Sequence, residues 1–535
     1  MVTGRTLRVK NVAIHHKQYN QADKRLSMLT VLGEWEPTMA TGNMIIIGGG
    51  IAGLATGCYA RRNGYETLLL EQHDHPGGVC ASWRRGDYVF DYCLHHLAGT
   101  DPTSPLHAVW QALGALDETP IHNDESLVRI EGPDGQALEL YRDLDRLQAH
   151  LEALAPWDRA AIRRYVGAAR RLAGVDIFSM GLAGPRGMLR LATRLPTIIR
   201  SGGTPLERLA EQFTDPFVRR ALPHAQYDIT GLGMPMLPNV MFLGGLQRGD
   251  LGWPHGGSGA MAQRIAERYR ALGGEIEYGA PVREILVEGD RARGVRMEDG
   301  TEYRADMVVS AADGYTTVYK MLAGRYTSPM IDDYYRFETY PQEQAFGLTI
   351  YLGVDMDLSQ EPRHLTLLYD EPLEIRGKGR DSLYVETMAH NTGLAAPGKT
   401  VVKAITSGAY APWRELRDND RDAYRAAKAD VARAVAERLD RRWPGLAARV
   451  ERHDVVTPVT VERYTGSFHG YQPWSAPRGG MRVMMQGLSR TLPGLEGFYQ
   501  VGQWADAMIG LSIAALSGRS LGRRLCRQDR RRFLA

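Results

Sequence analysis

Cysteine is scarce in this chain, with four residues in 535: Cys58, Cys80, Cys93 and Cys526. Their spacing makes no zinc knuckle, and their number makes no disulfide framework of a small secreted domain. A reducing, cytoplasmic compartment is the expectation, and no metal site is expected. Long apolar runs are missing as well. No stretch approaches the roughly 20 apolar residues that span a bilayer. Residues 1–43 are polar and mixed in charge, without the apolar core of a signal peptide. They read as an N-terminal extension, or as sequence upstream of a start at Met39 or Met44. Charge of one sign is also lacking. The balance of 65 basic to 62 acidic side chains leaves +3, too little to argue for a nucleic-acid partner. One local exception is the tail Arg523, Arg524, Arg527, Arg530, Arg531 and Arg532, which reads either as the solvated end of a last helix or as a contact with an anionic membrane.

Glycine is plentiful, and its placement organises the reading. Met44–Ile47 is a short apolar strand, followed by a glycine cluster. A helix then runs from about Ile51 to Arg62, closed by Asn63-Gly64, and a second buried strand covers Thr67–Glu71. Residues 127–142 pattern as a hairpin around Pro133-Asp134-Gly135, and 144–223 as helices. A further α/β stretch starts near Gly256, with a helix over 261–271 and strands at 275–278, 282–287 and 307–310. Residues 345–408 alternate as strands, 413–442 as one long charged helix, and 497–526 as strand then helix.

Gly48-Gly49-Gly50-Ile51-Ala52-Gly53 is a G-x-G-x-x-G between strand and helix. Gly48 permits the tight turn, Gly50 lets backbone approach a pyrophosphate, and Gly53 lets helix pack on strand. The helix start then offers N–H groups and positive dipole to phosphates. Glu71 ends the second strand, 18 residues past Gly53, where a carboxylate accepts bonds from ribose hydroxyls. Gly77, Gly78 and Val79 follow at once, a second backbone segment suited to lying against the cofactor. That pairing points to FAD rather than NAD.

With those residues in place, the chain resembles the phytoene desaturase, carotenoid isomerase and retinol saturase group of flavoproteins. The likeness lies in four places. The first runs from 44 to 100, through Pro76-Gly77-Gly78 and Gly86–Asp91 to His95, His96 and Gly99. The second spans 252–315, including Ser310-Ala311-Ala312-Asp313. The third holds Thr457–Thr460 and Glu462–Gly466. The fourth runs from Leu492-Pro493-Gly494-Leu495 into Val501-Gly502-Gln503-Trp504. The resemblance implies an α/β, Rossmann-type FAD-binding fold of the glutathione-reductase and amine-oxidase kind, with a discontinuous mixed α+β substrate domain. The cofactor domain is expected at 44–125, 250–325 and 480–535, and the substrate domain at 126–249 and 326–479. The resemblance also implies adenine contact near Val282, and cofactor contact from Gly502, Gln503, Gly510, Ser512 and Ile513, where the last helix aims its N-terminus at the flavin. The chain departs from the group at 505–510, where Ala-Asp-Ala-Met-Ile-Gly replaces a Pro-Gly-rich turn.

The implied activity is a two-electron change at a carbon–carbon bond of a hydrophobic polyene, isoprenoid or lipid-like molecule. Desaturation, isomerisation and saturation stay open, as do an amine or amino-acid oxidase and a non-catalytic lipid carrier. Acid–base candidates are Asp91, His95, His96, Tyr471 and Asp506. Gly257–Ala262 also fits G-x-G-x-x-A, but it follows Gly252-Trp253-Pro254-His255, which does not read as a buried strand. An NAD(P)H site is therefore not expected, and electrons must pass to or from an external partner. His73-Asp74-His75 reads as a solvated loop. Residues 187–200, broken at Pro196, read equally as a packed helix or as a peripheral membrane contact.

Overall fold

Four consecutive apolar residues, Met44–Ile47, are satisfied only by a strand covered on both faces. They form β1 (Asn43–Ile47), which leads through the glycine cluster into α1 (Ile51–Arg62) and then β2 (Glu66–Leu70). The coordinates are a computed structural model describing residues 42–173, 175, 182, 185–226, 235–335, 346–389, 392–470, 489–506 and 510–535. Tyr471 and the turn at 507–509 lie outside the described residues. Next come the hairpin strands β3 (Ser82–Arg85) and β4 (Tyr88–Asp91), then α2 (Gly257–Ala271), β5 (Glu275–Glu277), β6 (Met307–Ser310), β7 (Phe498–Gln500) and α3 (Leu511–Gln528). Five of these strands make one parallel sheet in the order β5-β2-β1-β6-β7. Three distant stretches of chain therefore build a single Rossmann-type layer.

α1 is buried along its first ten residues because helices press on it from two sides. A Cβ at Gly57 would lie 2.6 Å from the Tyr269 ring of α2, and one at Gly518 of α3 would lie 2.5 Å from the Thr56 nitrogen. Only glycine allows approach that close.

A second, seven-stranded sheet has the order Val450–Val456, Phe346–Val354, Thr400–Gly408, Lys378–Ala389, His364–Ile375, Ser126–Glu131, Ala137–Tyr141. It is antiparallel except where His364–Ile375 meets Ser126–Glu131. The helix Arg421–Asp440 buries Val431, Val435 and Leu439 against one face.

Three expectations need correction. The charged helix at 413–442 is two helices, Tyr410–Asn419 and Arg421–Asp440. The chain breaks at Asp420, which turns extended so that its carboxylate can cap the N–H groups of Asp422 and Ala423. The helix Pro185–Gly202 runs through Pro196. Pro196 and Ala192 both face outward, so the carbonyl that loses its bond is left to water. Finally, Leu251–Pro254 is a buried strand after all, held between Leu97–Ala98 and Ile121–His122. Its tryptophan and proline hid the pattern.

Candidate cofactor and active site

The glycine loop has the shape its spacing implies. Gly48 sits at φ +100, and its N–H donates to the Leu70 carbonyl at 2.8 Å. A Cβ at Gly53 would fall 2.0 Å from the Gly48 oxygen, whereas one at Gly50 would meet only the Gly77 oxygen, at 3.8 Å. Gly53 is thus needed for packing, and Gly50 leaves open space. α1 starts from Gly50 with no side-chain cap, so its first-turn N–H groups, including those of Ile51 and Ala52, are available to an anion.

Glu71 is buried, and its carboxylate accepts from Gly49 N–H at 2.6 Å and His73 N–H at 2.9 Å. A carboxylate has room for further donors, as a ribose would provide. Gly77 N–H donates to the Gly49 carbonyl at 2.9 Å, which sets Gly77, Gly78 and Val79 against the loop. Ala280 N–H donates to the Glu71 carbonyl at 2.8 Å, which brings Val282 to the same rim. Gly502 arrives at the end of β7, where an added Cβ would touch Ala52 at 3.2 Å. Its N–H donates to Ser517 Oγ at 2.8 Å. Gly510 precedes α3 at φ +125, while Ser512 is buried and Gln503 and Ile513 half-buried nearby. Asp506 pairs with Arg490 at 2.5 Å, and Arg490 also donates to Ser517 Oγ at 2.9 Å. Arg490 and Ser517 escaped the sequence reading because they act through one another, without a motif.

The second glycine motif is closed to a nucleotide by the protein itself. Asp91 Oδ2 accepts from Ser258 N–H at 2.7 Å, from Ser258 Oγ at 2.8 Å and from Ser82 Oγ at 2.7 Å. Asp91 is fully buried, a fixed carboxylate at the start of α2 where a phosphate would otherwise sit. With both oxygens engaged inside the protein, Oδ1 by Leu94 N–H, Asp91 is built as a helix cap.

From Asp91 the chain leads into a buried polar cluster. His95 Nδ1 hydrogen-bonds Glu386 Oε1, and Lys403 Nζ lies 3.5 Å from Glu386 Oε2. Arg363 grips Asp124 through Nε at 2.9 Å and Nη2 at 2.5 Å, and also donates to the His95 carbonyl at 3.0 Å. His96 stacks on His364 with centroids 4.2 Å apart, and their Nε2 atoms lie 3.7 and 3.6 Å from Asp124 Oδ2. Tyr384 hydroxyl bonds His364 Nδ1 at 2.6 Å. Burial holds His95, His96 and His364 below the usual histidine range, and so uncharged. Burial also acts to raise Asp124 and Glu386. Arg363 outweighs it for Asp124, and His95 with Lys403 for Glu386, so both stay well below the usual carboxylate range. Two anions and two cations then balance.

The ligand atoms of His96, Asp124 and His364 lie within 4.8 Å of one another, the spacing a metal ion requires. However, Arg363 already holds the carboxylate edge. The cluster is an ion-pair core in which, among the described residues, His96 Nε2, His364 Nε2, Arg363 Nη1 and Glu386 Oε2 are buried without a hydrogen-bond partner. Local spacing announces none of Asp124, Arg363, His364, Glu386 or Lys403, because the contacts span as many as 291 residues.

Residues 46–113 match the model of an NAD(P)-binding Rossmann-like domain. Prolycopene isomerase of Arabidopsis thaliana is 26% identical over 89% of this chain and 81% of its own. A neurosporene-forming phytoene desaturase of Rhodobacter capsulatus is 27% identical over 80% and 83%. All-trans-retinol 13,14-reductase of Danio rerio is 24% identical over 89% and 84%. The chain resembles the phytoene desaturase-like FAD oxidoreductases, and it is an oxidoreductase enzyme. Among solved structures, an oxidoreductase from Methanosarcina mazei superposes with a TM-score of 0.59 at 18% identity, over 90% of this chain and 100% of that one. A redesigned putrescine oxidase gives 0.58 at 15% identity, over 91% and 99%. Both show the shared fold. Among the described residues, no helix is long and apolar enough to cross a membrane.

Proposed function

We propose that the protein binds FAD and changes the bond order of a carbon–carbon bond in a hydrophobic polyene, isoprenoid or lipid-like substrate. The observation that carries the reading is the open, uncapped start of α1 at Gly50, with Glu71 beside it and Gly77–Gly78 across from it. Bound there, FAD supplies two-electron exchange between its N5 position and a substrate carbon. The protein's own part is to orient and to exclude water. Gly48–Gly53 and the α1 N-terminus hold the pyrophosphate, and Glu71 holds the ribose. His95, backed by Glu386, and its neighbour His96 are the proton-handling candidates. Tyr471 and Asp506 remain further acid–base candidates.

The discontinuous division, with 44–125, 250–325 and 480–535 as cofactor domain and 126–249 and 326–479 as substrate domain, follows the two sheets and is proposed on that basis. We also propose that the helix Pro185–Gly202 rests on an anionic membrane surface from which an apolar substrate is drawn. Leu189 and Ile199 are 69% and 66% exposed there, with Arg200 alongside, and the helix holds no acidic residue. The reading is tested on purified protein: it is yellow and releases FAD, not FMN, on denaturation. A colourless chain that cannot be reconstituted with FAD defeats it.

A further inference from the structure

The hairpin of β3 and β4 pairs Arg85 with Tyr88 through to Ser82 with Asp91. The ladder continues past the strands, where Tyr92 N–H donates to the Ala81 carbonyl at 3.2 Å. Residues 81 and 92 are therefore a hydrogen-bonded pair, and Cys80 and Cys93 come next on the two segments, at bends just beyond the ladder and at the register of a non-hydrogen-bonded pair. At such positions opposed Cα atoms approach to about 4.5 Å and side chains meet. That lies inside the roughly 4.4–6.8 Å that a disulfide spans. The neighbouring Cys93 thiol and burial raise Cys80 well above the usual thiol range.

The two sulfurs differ in access, since Cys80 is fully buried and Cys93 half-buried. An accessible sulfur beside a buried, high-pKa neighbour is the division of labour of a redox dithiol. The pair also sits at a sensitive place. Cys80 N–H donates to the Gly77 carbonyl at 3.0 Å, and Cys93 stands two residues beyond the Asp91 cap. Twelve intervening residues conceal it from any spacing rule.

We propose that Cys80 and Cys93 form a redox-active dithiol, oxidised by small-molecule disulfides and reduced by small-molecule dithiols. The Cys93 thiolate attacks one sulfur of the small disulfide, whose S–S bond breaks to release one thiolate. Cys80 then loses its proton and displaces the second thiolate from the mixed disulfide. Two protein thiols are oxidised and one small disulfide is reduced, with the two protein protons leaving on two small thiols. Oxidation ties the Gly77–Gly78 segment to the strand that carries Asp91. None of this depends on the substrate proposed above.

The test equilibrates the full-length protein anaerobically with oxidised and reduced dithiothreitol across a range of ratios, followed by acid quench, alkylation and peptide mapping. Reduced protein has four alkylatable thiols. Oxidised protein is expected to keep two, Cys58 and Cys526, with a single cross-linked peptide joining Cys80 to Cys93. Cys80→Ser, treated with oxidised glutathione, is expected to carry the adduct on Cys93. Persistence of all four thiols at the oxidising extreme overturns the proposal. So does a bridge that includes Cys58 or Cys526, or a Cys80→Ser protein without an adduct on Cys93.

Discussion

Gly50→Val and Gly53→Ala separate holding the cofactor from holding the fold. Gly50 lies at φ −70 and ψ 175, a conformation any residue adopts, and its added Cβ meets one atom at ordinary contact distance. The apoprotein should accept valine with a stability change within about 0.5 kcal/mol. The valine methyl groups project into the space left for a pyrophosphate. FAD affinity is therefore expected to fall at least about 100-fold, equivalent to ~2.7 kcal/mol. Gly53 is the reverse case. Its Cβ falls 2.0 Å from a backbone oxygen and 3.3 Å from the Ala311 Cβ, so helix and strand must part. Overpacking of this kind costs roughly 3 kcal/mol or more, a drop in Tm on the order of 6–12 °C. Ligand at a thousandfold excess over Kd adds about 4 kcal/mol of apparent stability, so the melts must compare flavin-free proteins, with FAD titrated in afterwards. Wild-type FAD affinity in Gly50→Val, or an apoprotein melt as low as that of Gly53→Ala, refutes the assignment of roles in this loop.

Stability should also depend on pH in a defined sense. His95, His96 and His364 have folded pKa values lowered from 6.5, so the unfolded chain binds more protons below that pH and Tm falls as pH drops through it. The depressed Asp124 and Glu386 add a second, steeper loss near pH 4; a Tm that is flat from pH 7 to 5 contradicts the buried, neutral histidines. Because Asp91 fills the start of α2, NADH or NADPH mixed anaerobically with the protein should reduce it slowly and without saturation. Rapid, saturable reduction by NADPH would mean that a pyridine-nucleotide site exists elsewhere. In co-sedimentation, vesicles rich in phosphatidylglycerol should carry the protein down more than phosphatidylcholine vesicles. Combined Leu189→Ser and Ile199→Ser should abolish the difference, and an undiminished difference in that variant discounts the helix Pro185–Gly202 as the contact.

The shape of the glycine loop was legible in sequence because its determinants are local. Gly48, Gly50, Gly53 and Glu71 lie within one βαβ unit, and each answers to a steric or hydrogen-bonding demand set a few residues away. Asp91 was picked out for the right neighbourhood but as an acid–base group. Only the fold shows that α2, arriving some 170 residues later, takes its carboxylate as a cap. Of the polar cluster only His95 and His96 were picked out, and their partners escaped. His364, Glu386 and Lys403 are separate residues on three strands, and strand sequences do not state their register with strands not yet paired. Leu251–Pro254 was missed for a related reason, since short strands lacking alternation resemble loops until partners are known.

The parallel sheet has a consequence for how the chain is made. β1 leaves the ribosome 455 residues before β7, which at ~5–20 residues per second is roughly 20–90 s. From its own synthesis until β7 emerges, β6 has an unpaired edge, and throughout the interval α1 lacks the glycine-lined surface of α3. The nucleotide pocket is thus assembled only once β7 and α3 have been made, and loading with cofactor must wait for them. A nascent chain stalled anywhere before β7 presents an open apolar edge, the kind that chaperones shield and that other chains join.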